Sequence, residues 1–203
     1  MFTQEKTHVD PSALGLFWLA IVTFVASSQK LGITEGLSYV IPWAIFLWAF
    51  AQIIAWMLDY KKGNVFGATA FYAYGFFWLG MSFSWLINMW AFWANLQQNV
   101  DVSQMWFAFL GYLILTIFLT IWATETNKVL FFIFVFIDLL FLWLAVSTFV
   151  VEWPIHTIFH KLAAISEFVI ALLSFYWSWA NVLNNHFGKT FLPIWKPFWI
   201  FKK

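Results

Sequence analysis

The chain has 203 residues, of which 64% are hydrophobic, 24% aromatic and 9% charged; soluble domains hold roughly half apolar and about a quarter charged residues, so this composition points to a membrane protein. A net charge of +1 argues against a nucleic-acid partner, and all ten basic residues are lysines, which excludes bidentate guanidinium recognition of phosphate or carboxylate. With no cysteine, disulfides, thiolate nucleophiles and zinc-cysteine sites are excluded as well.

The N-terminal stretch MFTQEKTHVDPSA carries acids and a histidine and has no small-residue cleavage site after a short apolar core, so it does not read as a signal peptide. Asp10 followed by Pro11 fits an N-cap with proline at the first helical position. Apolar windows of about 20 residues, enough to cross about 30 Å of hydrocarbon as helices, then occur near Ala13–Gln29, Leu37–Leu58, Val65–Trp90, Met105–Ala123, Val129–Val151 and Thr157–Leu183. The connectors LGITEG, DYKKGN, NLQQNVDVSQ and TETNK are too short for a second domain. The expectation is an all-α integral membrane protein with six transmembrane helices per protomer, residues 1–203 forming a single six-helix membrane domain.

Six spans put both termini on one side. Lys6, Lys61, Lys62, Lys128, Lys189, Lys196, Lys202 and Lys203 then fall on the terminal side, against Lys30 and Lys161 on the other. The positive-inside rule makes the termini cytoplasmic; the expected location is the plasma (inner) membrane, multi-pass. DYKKGN becomes a cytoplasmic turn in which Lys61 and Lys62 are either topological anchors or substrate ligands. No strong internal repeat stands out.

Ala70, Tyr74, Trp78 and Ser82 recur every four residues and share one helix face. Tyr74 there either packs between helices and bonds a carbonyl, or presents its ring and hydroxyl to a pathway. Gln52, near the midplane, either ties helices together or offers its amide to a solute. Asp138 and Glu167 lie within spans, where ionised carboxylates are costly. Asp138 is a candidate for taking up a proton during transport, with a hydrogen bond to Asn181 or a serine of the last span as the structural alternative. Glu167, about one and a half turns past Lys161, can instead face a polar crevice near the outer end. His156 and His160 are spaced to ligate a metal or haem from one face, yet sit beside Pro154 at a membrane boundary and read better as an interfacial pair titrating near neutrality. No cofactor or metal site is expected, and no Ser-His-Asp set, HExxH, P-loop or GxGxxG supports an enzyme.

The segment AQIIAWMLDYKKGNVFGATAFYAYGFFW closely resembles the second and third helices of the acetate uptake transporter family, which includes the bacterial succinate-acetate permeases. Asp10-Pro11-Ser12-Ala13-Leu14-Gly15-Leu16 is similar to the family's N-terminal motif Asn-Pro-Ala-Pro-Leu-Gly-Leu, and NVLNNHFGKTFLP from Asn181 to Pro193 to its C-terminal signature. The resemblance implies a homo-oligomer, typically a hexamer, whose protomers each carry acetate or a similar short-chain monocarboxylate, by proton symport or channel-like flow. It also implies an apolar constriction from the first, third and fifth helices, falling on Leu19, Tyr74 and, within one residue, Ile137, with Gln52 as a polar pathway residue. The implied partners are a small carboxylate, a proton and membrane lipid.

Three departures stand out. Leu19 replaces the usual aromatic, Ala13 the second proline, and Asp10 the asparagine cap. An aspartate brings its own charge to the positive end of the helix dipole and makes that end less welcoming to an anion. Two other readings stay open. LGITEG resembles a segment of the acid-gated urea and short-chain amide channels, and a non-transporting cofactor-binding subunit or sensor would use the histidine pair.

Overall fold

The computed structural model describes residues 11–150, 152 and 154–201, so Asp10 of the N-terminal motif, Lys6, Lys202 and Lys203 lie outside the described residues. Six long apolar helices run through it: α1 Ser12–Lys30, α2 Val40–Lys61, α3 Val65–Asn88, α5 Ser103–Ala123, α6 Lys128–Phe149 and α7 Ile155–Phe187. A short helix, α4 (Ala94–Gln98), begins one residue before the connector NLQQNVDVSQ and takes up its first four residues.

The helix ends follow from local chemistry. Pro11 is the cap of α1 rather than its first helical residue, and its carbonyl accepts the first helical bond from Gly15 N at 3.0 Å. Asn64 and Asn127 start α3 and α6 by accepting from Gly67 N at 3.2 Å and Leu130 N at 2.9 Å. Gly63, at φ +72°, supplies the left-handed step that reverses the chain between α2 and α3. The last window extends beyond Leu183, because α7 continues for 33 residues to Phe187 and stops at Gly188, φ +62°. Asn184 then brackets the turn behind it: its Oδ1 accepts from Phe191 N at 2.7 Å and Leu192 N at 2.8 Å, and its Nδ2 donates to Leu192 O at 2.7 Å.

Helix α2 is composite. Trp43–Phe50, directly after Pro42, is π-helical, and regular helix resumes at Ala51. The i→i+5 spacing rotates side chains relative to a regular helix, and such segments concentrate at functional sites. Both Trp48 and Gln52 end up facing inward, 3% and 1% exposed.

The helices form a ring in the order α5, α6, α7, α1, α2, α3, with only light contact between α3 and α5. Among the described residues three hydrogen bonds cross that seam: Tyr74 Oη to Thr116 Oγ1 at 2.8 Å, Tyr112 Oη to the Ala73 carbonyl at 3.0 Å, and a weaker one from Ser84 Oγ to Met105 Sδ at 3.8 Å. Large apolar side chains such as Phe46, Phe107 and Phe118 stay outward-facing and exposed, as expected where the surroundings are lipid rather than water. The protein is an all-helical, multi-pass membrane protein.

Candidate functional site

Among the described residues, three spaces follow one another along the interior of the ring. The largest, about 450 Å³, opens at the end carrying the termini and is lined by Ser12, Leu16, Gln52, Asn64, Tyr74 and Asn127 among others. A void of about 20 Å³ follows, enclosed by Thr23, Trp48, Phe77, Trp78, Phe141 and Ile170 with their neighbours. At the opposite end a cavity of about 220 Å³ holds Lys30, His156, His160 and Glu167.

Leu19, Tyr74 and Ile137 line both the large cavity and the small void, so the structure brings these three together on the partition between them. Phe77, Trp78 and Leu140 line both the void and the far cavity. The barrier is largely apolar, its Thr23 hydroxyl spent on the Leu19 and Ala20 carbonyls, and two further polar groups stand in it. One is the Tyr74 hydroxyl, turned to Thr116 rather than to a backbone carbonyl. The other is Trp48 Nε1, buried with no hydrogen-bond partner.

Trp48 had no signal in the sequence, because an indole in an apolar run reads as packing. In the fold it stacks on Trp78 with ring centroids 4.0 Å apart and lines the void together with Leu19. Gln52 is 1% exposed in the wall of the large cavity, and its Oε1 accepts no hydrogen bond. A buried amide left half satisfied is expensive; here it has an acceptor to offer a solute.

The N-terminal motif serves the large cavity. Ser12 and Leu16 line it, and Ser178 Oγ donates to the Ala13 carbonyl at 2.7 Å, tying α7 to the start of α1. Gly15 lets the Phe71 ring lie against α1, where a Cβ would collide with it. Leu14 points outward and is exposed. Lys61 and Lys62 are exposed and line none of the three spaces, which fits anchors rather than ligands. Asp59, which the sequence presents as part of the charged turn, is a buried helix residue 1% exposed whose carboxylate lies against Gly67.

Asp138 and Glu167 differ. Asp138 is half-buried and lines none of the three spaces; its Oδ2 accepts from Thr120 Oγ1 of α5 at 2.6 Å. The partner found for this carboxylate is Thr120 and not Asn181 or a serine of α7. Glu167 is 1% exposed and pairs with Lys30 of α1 at 2.7 Å, not with Lys161. His156 and His160 stand with ring centroids 6.0 Å apart and nearly parallel. Among the described residues no group of three or more histidine, aspartate or glutamate side chains has the proximity to hold a metal.

The sequence profile of the GPR1/FUN34/yaaH family matches residues 2–199. The chain belongs to the GPR1/FUN34/yaaH family. Among its relatives, the "Succinate-acetate/proton symporter SatP" of Escherichia coli (strain K12) is 30% identical over 191 residues, covering 91% of this chain and 94% of that protein. "Acetate permease A" of Emericella nidulans is 31% identical over 156 residues, 71% of this chain and 51% of that one. "Ammonia transport outward protein 2" of Saccharomyces cerevisiae is 25% identical over 180 residues, 87% of this chain and 62% of that one. A solved structure described as the bacterial acetate channel SatP superposes with a TM-score of 0.83 at 28% identity, covering 91% of this chain and 98% of that chain. The resemblance read from three sequence blocks thus extends to the family and to the fold.

Proposed function

We propose that the protein moves acetate or a similar short-chain monocarboxylate across the plasma membrane together with a proton, through a throat formed by Leu19, Tyr74 and Ile137 inside each protomer. The observation that carries this reading is the line of two cavities meeting at one apolar partition, in a chain whose relatives are named for succinate, acetate and protons. Moving an unpaired carboxylate into such a partition costs many kcal/mol, whereas the neutral acid loses far less. The throat therefore passes the protonated form, and flux follows pH without any covalent step.

Gln52 offers its carbonyl oxygen to the acid O–H as the solute reaches the partition from the large cavity. The whole chain acts as one transport domain, with termini in the cytoplasm by the lysine count and a hexamer by family resemblance. Its role is transport and not catalysis.

A second reading has a specific observation behind it. The unpaired Gln52 acceptor suits the N–H of a neutral amide or ammonia as well as an acid O–H, and one relative is named for ammonia. Uptake of labelled acetate and labelled urea into proteoliposomes across pH separates the two. Carboxylate transport gives acetate uptake rising as pH falls; uptake of urea alone, indifferent to pH, overturns it.

A further inference from the structure

The far cavity is where a cation and a carboxylate meet inside the helical ring. Lys30 ends α1 and reaches Glu167 of α7 at 2.7 Å, the two side chains 13% and 1% exposed. His156, His160 and Glu167 are four and seven residues apart, which sets all three on one face of α7. Among the described residues, these four are the titratable groups facing the cavity. The walls from α3, α5 and α6 supply aromatic, methionine and leucine side chains with the hydroxyls of Ser147 and Thr148, and no ionisable group.

The pair is incompletely satisfied. Glu167 Oε2 takes the Lys30 ammonium, while Oε1 is buried with no hydrogen-bond partner. A buried ion pair built only for stability recovers its desolvation cost when the remaining lone pairs are also bonded. Here one carboxylate oxygen is left open in the wall of a cavity that also holds two imidazoles, and that cavity shares Phe77, Trp78 and Leu140 with the throat void.

We infer that Lys30 is the loading site for the substrate carboxylate at this end, and that Glu167 is an internal carboxylate occupying Lys30 until a proton displaces it. The inference rests on the carboxylate-transport reading above. In the resting arrangement Glu167 holds Lys30 and the substrate anion is excluded. A proton from the His160 or His156 imidazolium adds to Glu167 Oε1; an N–H bond breaks, an O–H bond forms, and the imidazole is left neutral. Lys30 then takes the substrate carboxylate, whose alkyl end lies on the aromatic wall. Passing the same proton from Glu167 to the substrate restores the Lys30–Glu167 pair and leaves a neutral acid beside the throat. One anion and one proton enter as one uncharged molecule.

The test is initial-rate uptake of labelled acetate into proteoliposomes by the full chain, comparing wild type, Glu167→Gln, Lys30→Met and the double variant. Glu167→Gln frees Lys30 without a proton, so KM at about pH 7.5 falls by about tenfold and its dependence on pH flattens, while the maximal rate drops because the proton donor is gone. The double variant removes both charges together and leaves no uncompensated ion. Its KM stays raised by about tenfold or more, because the anion has lost its cation. A pair that serves only to hold α1 to α7 gives the opposite result, a double variant with the KM and pH profile of wild type, and that overturns the inference while leaving the transport reading in place. Absence of acetate uptake by the wild-type chain overturns both.

Discussion

The Tyr74 hydroxyl donates to Thr116 Oγ1 at 2.8 Å, because the single Thr116 hydroxyl proton is already used on the Tyr112 carbonyl at 2.7 Å. The bond fixes the tyrosine ring across the ring's weakest seam, between α3 and α5. Tyr74→Phe keeps the ring and loses the bond, so a stability loss of about 1 kcal/mol is expected. Thr116→Val costs a similar amount. The two together cost less than their sum, which thermal unfolding in detergent of the four proteins measures as a double-mutant cycle.

Gly67 is required by a neighbouring helix. A Cβ there would fall on the Asp59 carboxylate and close to the Asn64 side chain. Gly67→Ala is expected to destabilise by about 1–3 kcal/mol, as overpacking does. Asp59→Ala makes room for the methyl group, so adding Gly67→Ala to Asp59→Ala costs much less than in the wild-type background. Equal costs in both backgrounds, read by thermal unfolding, would show that the carboxylate is not what the methyl group meets.

Trp48 narrows the throat void from α2, where it stacks on Trp78. Trp48→Ala is expected to widen the passage, admitting longer carboxylates such as butyrate, and to destabilise by about 3–5 kcal/mol as a buried large-to-small change. Relative uptake of acetate and butyrate checks the first expectation. A selectivity unchanged from wild type contradicts the placement of Trp48 at the throat.

Asp101 lies outside the spans, and hydrogen bonds from the Ser103 hydroxyl and from Ser103 N, the latter at 2.9 Å, hold its carboxyl below the usual carboxylate value of 3.8. A lowered folded-state value means that the contribution to stability is complete above the unfolded value and fades as pH falls through the folded one. The α5 start therefore loosens only below about pH 4, and Asp101→Asn removes that acid-side change. Amide exchange at Ser103 follows it. Transport that varies between about pH 5 and pH 8 has its origin in other groups.

The six spans were legible because hydropathy, length and short polar connectors all report one constraint: a backbone in hydrocarbon must bond to itself. Tyr74 and Gln52 were legible as inward-facing polar groups within apolar runs. The partners were not. Lys30 reads as a boundary charge and Asp59 as part of a loop, since pairing across 137 residues, as for Lys30 and Glu167, leaves no local periodicity to detect. Trp48 was hidden for another reason: its inward orientation depends on the π-helical segment after Pro42, which shifts the helical phase that a regular 3.6-residue reading assumes. The spacing of His156, His160 and Glu167 did carry a signal for one shared face, and it becomes meaningful once α1 brings Lys30 against it.

The most direct test of the throat is acetate uptake into proteoliposomes under an imposed inward proton gradient, comparing wild type with Ile137→Trp, which adds bulk at the partition between the large cavity and the void. Wild-type uptake that rises with the gradient, and falls by about tenfold or more when the partition is plugged, is the expected result. A correctly folded Ile137→Trp protein with undiminished uptake would mean that the solute crosses elsewhere.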